Sequence, residues 1–107
     1  MENQVCKAPE TCSCCRHKDT PRDAETLRQL QNRLRRMMGQ LGGISKMLDD
    51  NRYCGDILTQ VAAVQSALQA FGHQVLSDHL HTCVVERVQR GDTQVVDEAL
   101  ELIRKLK

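Results

Sequence analysis

The amino-acid sequence predicts an all-α protein built on three helices. Apolar residues return every three or four positions along three stretches, and no stretch alternates with the two-residue period of a strand. At 107 residues and 40% hydrophobic content, one small domain is expected and two full cores are not. That size excludes most large enzyme folds.

The first helix is predicted to start at Thr20-Pro21-Arg22-Asp23, with a hydroxyl at the N-cap, proline at the first helical position and a carboxylate at the third. Leu27, Leu30, Leu34, Met37, Leu41, Ile44 and Leu48 then recur at alternating steps of three and four, which keeps one apolar seam facing a partner. Gly39, Gly42 and Gly43 each lower helix propensity by up to about 1 kcal/mol, and a close helix approach or a local bend is the expected compensation. A polar turn, Asp49 to Arg52, follows.

The second helix is predicted from near Tyr53 to Arg90. Ile57, Val61, Val64, Leu68, Phe71 and Val75 mark one stripe and Leu76, Leu80, Cys83 and Val84 a neighbouring one, with Gly91 as the C-terminal stop. Val96, Ala99, Leu100, Ile103 and Leu106 give a short third helix. A hairpin of two long helices plus a short one cannot cover both apolar faces of helix 2, so self-association is expected.

Residues 1–19 carry Cys6, Cys12, Cys14, Cys15 and His17 among polar residues without apolar periodicity, which reads as a flexible Cys-rich tail ahead of a helical domain spanning 20–107. With no signal peptide, six cysteines suit reduced thiols doing metal or redox chemistry better than a disulfide scaffold. No apolar run is long enough to span a bilayer, so a cytoplasmic protein is expected. At 2% aromatic content the stacking platforms used for single-stranded nucleic acid or sugars are missing.

His79 and Cys83 are four residues apart, which on a helix places them on one face within reach of one metal. Cys54 is the natural third ligand, yet it lies 25 residues before His79 on the same helix. At about 1.5 Å rise per residue that is roughly 37 Å. A straight helix therefore excludes a site within one chain. An antiparallel two-fold pairing of helix 2 instead brings Cys54 of one chain to His79 and Cys83 of another, twice per dimer. Two thiolates and an imidazole suit Cu(I) best, with Zn(II) open if a fourth ligand joins and Ni(II) open in square-planar form. Set against this, cysteines are among the most buried residue types and His79 sits in a polar run.

The stretch YCGDILTQVAAVQ from Tyr53 to Gln65, followed by DHLHTCV from Asp78 to Val84, resembles the copper-sensing operon repressor (CsoR) family of bacterial transcriptional repressors. NRLRR from Asn32 to Arg36 and GQLGGI from Gly39 to Ile44 are similar to that family's first helix, and the likeness covers about residues 26–107. The resemblance implies a flat dimer of dimers that binds operator DNA when metal-free and lets go when Cu(I) joins Cys54, His79 and Cys83 between protomers. It implies outer-shell roles for Tyr53 and a glutamate on the third helix, Glu98 by the better alignment with Glu101 as the alternative. It also implies DNA contacts by Arg33, with Arg35, Arg36 and Gln40 as neighbours, while Ala70 stands where some relatives carry a basic residue. Members responding to nickel or cobalt, formaldehyde or persulfide alter one of the three ligand positions or lose the histidine, although a nickel branch has similar ligands. A nickel-, zinc- or thiol-redox-responsive repressor of the same fold is the alternative.

Charge distribution supports a nucleic-acid partner. Net charge is only +1, but Arg28, Arg33, Arg35, Arg36 and Lys46 lie between Leu27 and Leu48 without one acidic residue. Such a stripe is often simply a solvated helix face. Repeated by symmetry, it becomes a broad positive surface for phosphates of duplex DNA. No helix-turn-helix is evident, because the turn between the long helices offers no short recognition helix. The tail ligands Cys12, Cys14, Cys15 and His17 form a candidate auxiliary metal set, able to bind Cu(I) or Zn(II) alone or to add a ligand to the core site. Two rival readings are a metal buffer without DNA binding and a thiol enzyme or redox sensor. The latter lacks a substrate loop, an oxyanion donor and a glycine-rich cradle, so no enzyme is expected.

Overall fold

The computed structural model describes residues 17–106. Helix α1 spans Ala24–Asp49 and helix α2 spans Cys54–His79. A π-helical turn, Leu80–Val84, continues α2 into α3, Val85–Gln89, and α4 covers Gln94–Lys105. Residues at the α2–π and π–α3 junctions keep right-handed helical torsions, so these three pieces make one rod. Three helical rods and no strand among the described residues match the predicted all-α class.

Helix α1 starts later than its sequence predicts. Asp23, in extended conformation, is the cap, and its carboxylate accepts from the Thr26 backbone N–H at 3.3 Å. Hydrogen bonds from Thr26, first its side chain and then its backbone, hold the Asp23 carboxyl below its ordinary range. Thr20 and Pro21 stay outside the helix because Lys18 and Arg22 are drawn to Asp78 on α2, which ties this segment along the other rod. The docked chain thus extends ahead of the Thr20 boundary. Cys6, Cys12, Cys14 and Cys15 lie outside the described residues.

Both interhelical turns use the same C-terminal device. After α1, Asn51 adopts φ 51°, its N–H bonds to Leu48 O at 3.2 Å and the Arg52 N–H bonds to Met47 O at 2.9 Å. After α3, Gly91 adopts φ 89°, bonding Val88 O at 3.0 Å, while Asp92 N–H reaches Arg87 O at 2.9 Å. These paired bonds satisfy the last orphan carbonyls, and asparagine and glycine tolerate the left-handed residue that the geometry needs.

The hairpin α1–α2 is antiparallel, with Gln74 Nε2 near the end of α2 donating to Gln29 Oε1 near the start of α1 at 3.3 Å. Helix α4 folds back on the π turn and α3. Among the described residues only Leu30, Met37, Val95 and Ala99 are buried apolar side chains, and none is wholly shielded from solvent. Met38 (68%), Leu58 (65%) and Leu68 (56%) remain largely open. The described core is thin, and apolar stripes on α1 and α2 stay open on the protomer surface.

The glycines of α1 fit neither compensation named above within the protomer. A Cβ at Gly39, Gly42 or Gly43 meets nothing within 4 Å, and α1 runs unbroken through them. They lie on an open face of the protomer.

Candidate metal centre

The rod formed by α2, the π turn and α3 positions the ligand candidates. Cys54 is its first α2 residue, exposed and a free thiol. Tyr53, 74% exposed, caps that end, and its ring lies so close over Gly55 that a Cβ there would sit 2.5 Å from Cε2. Glycine at 55 is what allows the ring to fold back beside Cys54.

At the far end, His79 is the last residue of α2 and Cys83 lies inside the π turn. The π turn has a local cause. Thr82 Oγ1 donates to Asp78 O at 2.7 Å, and His81 Nδ1 donates to Ser77 O at 2.8 Å. Two successive carbonyls are thus engaged by side chains four residues on, which compete with the regular backbone ladder. Such widened turns recur at functional sites.

His79 and half-buried Cys83 line one cavity of about 240 Å³ together with Glu98 and Arg87. His79 Nε2 is sequestered from solvent. A second, apolar cavity of about 350 Å³ borders the same two side chains and is walled by Phe71, Val75, Leu76, Leu102 and Leu106. Leu106 presses on Gly72, where a Cβ would come within 2.7 Å of Cδ2, and this packs the end of α4 against α2. A low-dielectric wall on one side and a carboxylate on the other suit a desolvated, thiolate-bound cation.

Glu98 and Glu101 separate clearly. Glu98 is half-buried at the cavity, whereas Glu101 points to solvent and pairs with Arg104 one turn on. Tyr53 and Cys54 stand at the opposite end of the rod from His79, Cys83 and Glu98. Among the described residues, no three of His, Cys, Asp and Glu gather closely enough in one protomer to hold a metal ion. The candidate donors thus stand apart within the protomer, Cys54 at one end of the rod and His79 with Cys83 at the other.

The basic residues of α1 divide over two faces. Arg33, Arg36 and Gln40, at steps of three and four, share one face beside the apolar seam, with both arginines exposed. Arg35, hydrogen-bonded to Asn32 Oδ1 at 3.2 Å, lies on the far side with Arg28, which pairs with Glu25.

Sequence reasoning missed the contacts that converge on the π turn from residues 17–22. Lys18 Nζ reaches Asp78 Oδ2 at 2.8 Å and Thr82 Oγ1 at 2.9 Å. Arg22 Nε adds a second cation at 3.3 Å from the same carboxylate, and Asp19 pairs with Arg90 at 2.8 Å. Thr82 Oγ1 is also 3.7 Å from Cys83 Sγ. His17, Lys18 and Asp19 therefore border the His79–Cys83 cavity. With 60 positions between Lys18 and Asp78, no local pattern signals the pair.

No helix among the described residues is long and apolar enough to cross a membrane.

Comparison with known proteins agrees with this architecture. The family model for metal-sensitive transcriptional repressors matches residues 26–105. The copper-sensing transcriptional repressor CsoR of Bacillus subtilis (strain 168) is 42% identical over 78 residues, covering 72% of this chain and 77% of that protein. The copper-sensing repressor RicR of Mycobacterium tuberculosis is 46% identical over 59 residues, covering 55% of this chain and 62% of RicR. The crystal structure of CsoR with Cu(I) from Geobacillus thermodenitrificans NG80-2 superimposes with a TM-score of 0.77 at 37% identity, covering 82% of this chain and 93% of that one. The nickel-responsive regulator InrS gives 0.65 at 30% identity, over 85% of this chain and all of InrS. On the fold, the shared helices and this likeness across most of its length, the chain belongs to the family of metal-sensitive transcriptional repressors, the CsoR family.

Proposed function

We propose that this protein is a Cu(I)-responsive repressor, a homotetrameric dimer of dimers that binds operator DNA without metal and releases it when Cu(I) bridges protomers. One observation carries the reading. His79 and Cys83 share a cavity with Glu98, while Cys54 and Tyr53 stand at the other end of the same rod, so only a second copy can complete the set. Antiparallel pairing of α2 about a two-fold axis brings the half-sites together twice. The exposed apolar residues of α2, Leu58 and Leu68, supply the surface for that pairing.

Two thiolates and one imidazole make a soft, low-coordinate set for Cu(I). In this reading Glu98 accepts a hydrogen bond from the His79 ring and orients it, and Tyr53 screens Cys54 from water. Arg33, Arg36 and Gln40 face the DNA backbone from one side of α1, while Arg35, on its far side, is not part of that face. A metal that ties the start of one α2 to the π turn of the other stabilises one arrangement of the assembly over another. Linkage then requires that DNA weaken metal binding by the factor by which metal weakens DNA binding.

The test is anaerobic fluorescence anisotropy on duplex DNA from upstream of the protein's own gene, titrated with Cu(I). Tight binding that collapses near one Cu(I) per protomer is the expected result. Binding that ignores Cu(I) refutes copper as the signal, and no binding to any upstream fragment turns the assignment to metal buffering. Likeness to InrS makes Ni(II) the second titrant, since a square-planar ion would take a fourth donor beside these three.

A further inference from the structure

The cations around the His79–Cys83 cavity divide into paired and unpaired ones. Lys18 and Asp78 keep only 16% and 14% of their side chains exposed, an enclosed latch reinforced by Arg22 and by the Thr82 hydroxyl. Arg90 holds Asp19 and Glu86. Arg87 differs from these. It is half-buried, borders the cavity that His79, Cys83 and Glu98 line, and makes no ion pair among the described residues.

A cation drawn partly out of water is costly unless a negative group compensates it. The Cys83 sulfur borders the same cavity, four positions before Arg87 in the chain. In the copper reading the donors are two thiolates and a neutral imidazole, a set with two negative charges. A univalent ion leaves that set with one negative charge, which Arg87 compensates. A divalent ion leaves it neutral and facing an uncompensated cation. The apolar wall of the adjoining cavity lowers the local dielectric and strengthens the difference. Glu98 acts on the ion in the opposite sense, and the guanidinium of Arg87 is set against it in the same cavity.

We propose that Arg87 is a specificity-determining residue of the metal centre, favouring a univalent ion over divalent ones through the positive charge it holds beside Cys83. The proposal deepens the copper reading and rests on it. Both kinds of ion displace the same thiol protons, so the ratio of their affinities responds to one unit of ionic charge alone. With the guanidinium about one helical turn from the ion, roughly 6 to 8 Å, and an effective dielectric of about 40 for a half-buried group, one charge unit changes that ratio roughly five- to tenfold.

The test is anaerobic competition between Cu(I) and Ni(II), without DNA, on the full chain with Cys6, Cys12, Cys14 and Cys15 replaced by serine. Cys54 and Cys83 are then the thiols left. Bound Ni(II) is followed by its thiolate charge-transfer absorption, and Cu(I) is buffered with a chromogenic chelator. Arg87→Gln is expected to lower the ratio of Cu(I) to Ni(II) affinity about five- to tenfold, Arg87→Glu by about that factor again, and Arg87→Lys to keep the parent ratio. A merely structural role would move both affinities together and would not follow side-chain charge. A ratio unchanged within about twofold in Arg87→Gln and Arg87→Glu overturns the proposal. An Arg87→Lys variant that behaves like Arg87→Gln overturns it too, as does Ni(II) binding that is absent from every variant. Failure of the parent chain to bind Cu(I) refutes the copper centre and the proposal with it, whereas Cu(I) binding with a charge-blind ratio refutes only the role of Arg87.

Discussion

The Lys18–Asp78 latch gives an energy that can be worked from the structure. At 2.8 Å and an effective dielectric of about 20, the gross attraction is about 6 kcal/mol. Desolvation of both groups offsets much of this, and Arg22 at 3.3 Å shares the carboxylate, so Asp78 keeps a partner when Lys18 is removed. A net coupling of about 2 kcal/mol follows, above the value of under about 1 kcal/mol typical of exposed pairs. The measurement is a double-mutant cycle with Lys18→Met and Asp78→Asn, unfolded in urea at one fixed protomer concentration because assembly adds to apparent stability. A coupling below about 0.5 kcal/mol would falsify the claim that the latch is enclosed, and would leave the segment as an arm merely resting on α2.

Arg33→Ala and Arg36→Ala should each weaken DNA binding alike on all sequences and lower the slope of log affinity against log salt by about one for each phosphate no longer neutralised; an unchanged slope for both removes α1 from the interface. Gly55→Ala should displace the Tyr53 ring, which a Cβ would approach to 2.5 Å, and shift Tyr53 emission in the metal-free protein; an unaltered spectrum shows that the ring does not rest there. Gly91→Ala forces a side chain into φ 89° and should cost about 1 kcal/mol or more, read as a lower Tm, with no loss indicating that the α3–α4 turn relaxes. Asp23 titrates lower in the folded state, so its cap is at full strength above the ordinary value of 3.8 and is lost as pH falls through the depressed value. Asp23→Asn should flatten that acid dependence of α1 helicity, and an unchanged pH profile by circular dichroism rejects the cap.

Much of the fold was legible because its causes are local. The seam Leu27 to Leu48, the stop at Gly91 and the α4 stripe ending at Leu106 depend on neighbours three or four positions away, and all reappear as elements. The separation of Cys54 from His79 and Cys83 follows from helix rise alone, and the structure places them at opposite ends of one rod. Thr20 misled because it and Asp23 both carry good capping oxygens, and the choice was made by Arg22 and Lys18 seeking a carboxylate on another helix.

Long-range packing settled the remaining features. The π turn itself comes from local bonds of Thr82 and His81 that no periodicity encodes, whereas the arrival of Lys18 on it depends on packing across about sixty positions. Glu98 and Glu101 look equivalent in an amphipathic repeat; the rotation of α4 against the π turn puts one in the cavity and leaves the other with Arg104. Local chemistry thus determined the helices and most of their ends, because backbone hydrogen bonds and caps act within a turn or two, whereas the start of α1 was set by ion pairs to another helix. Which of those groups share a cavity depended on how the rods pack, since that brings together side chains about sixty positions apart.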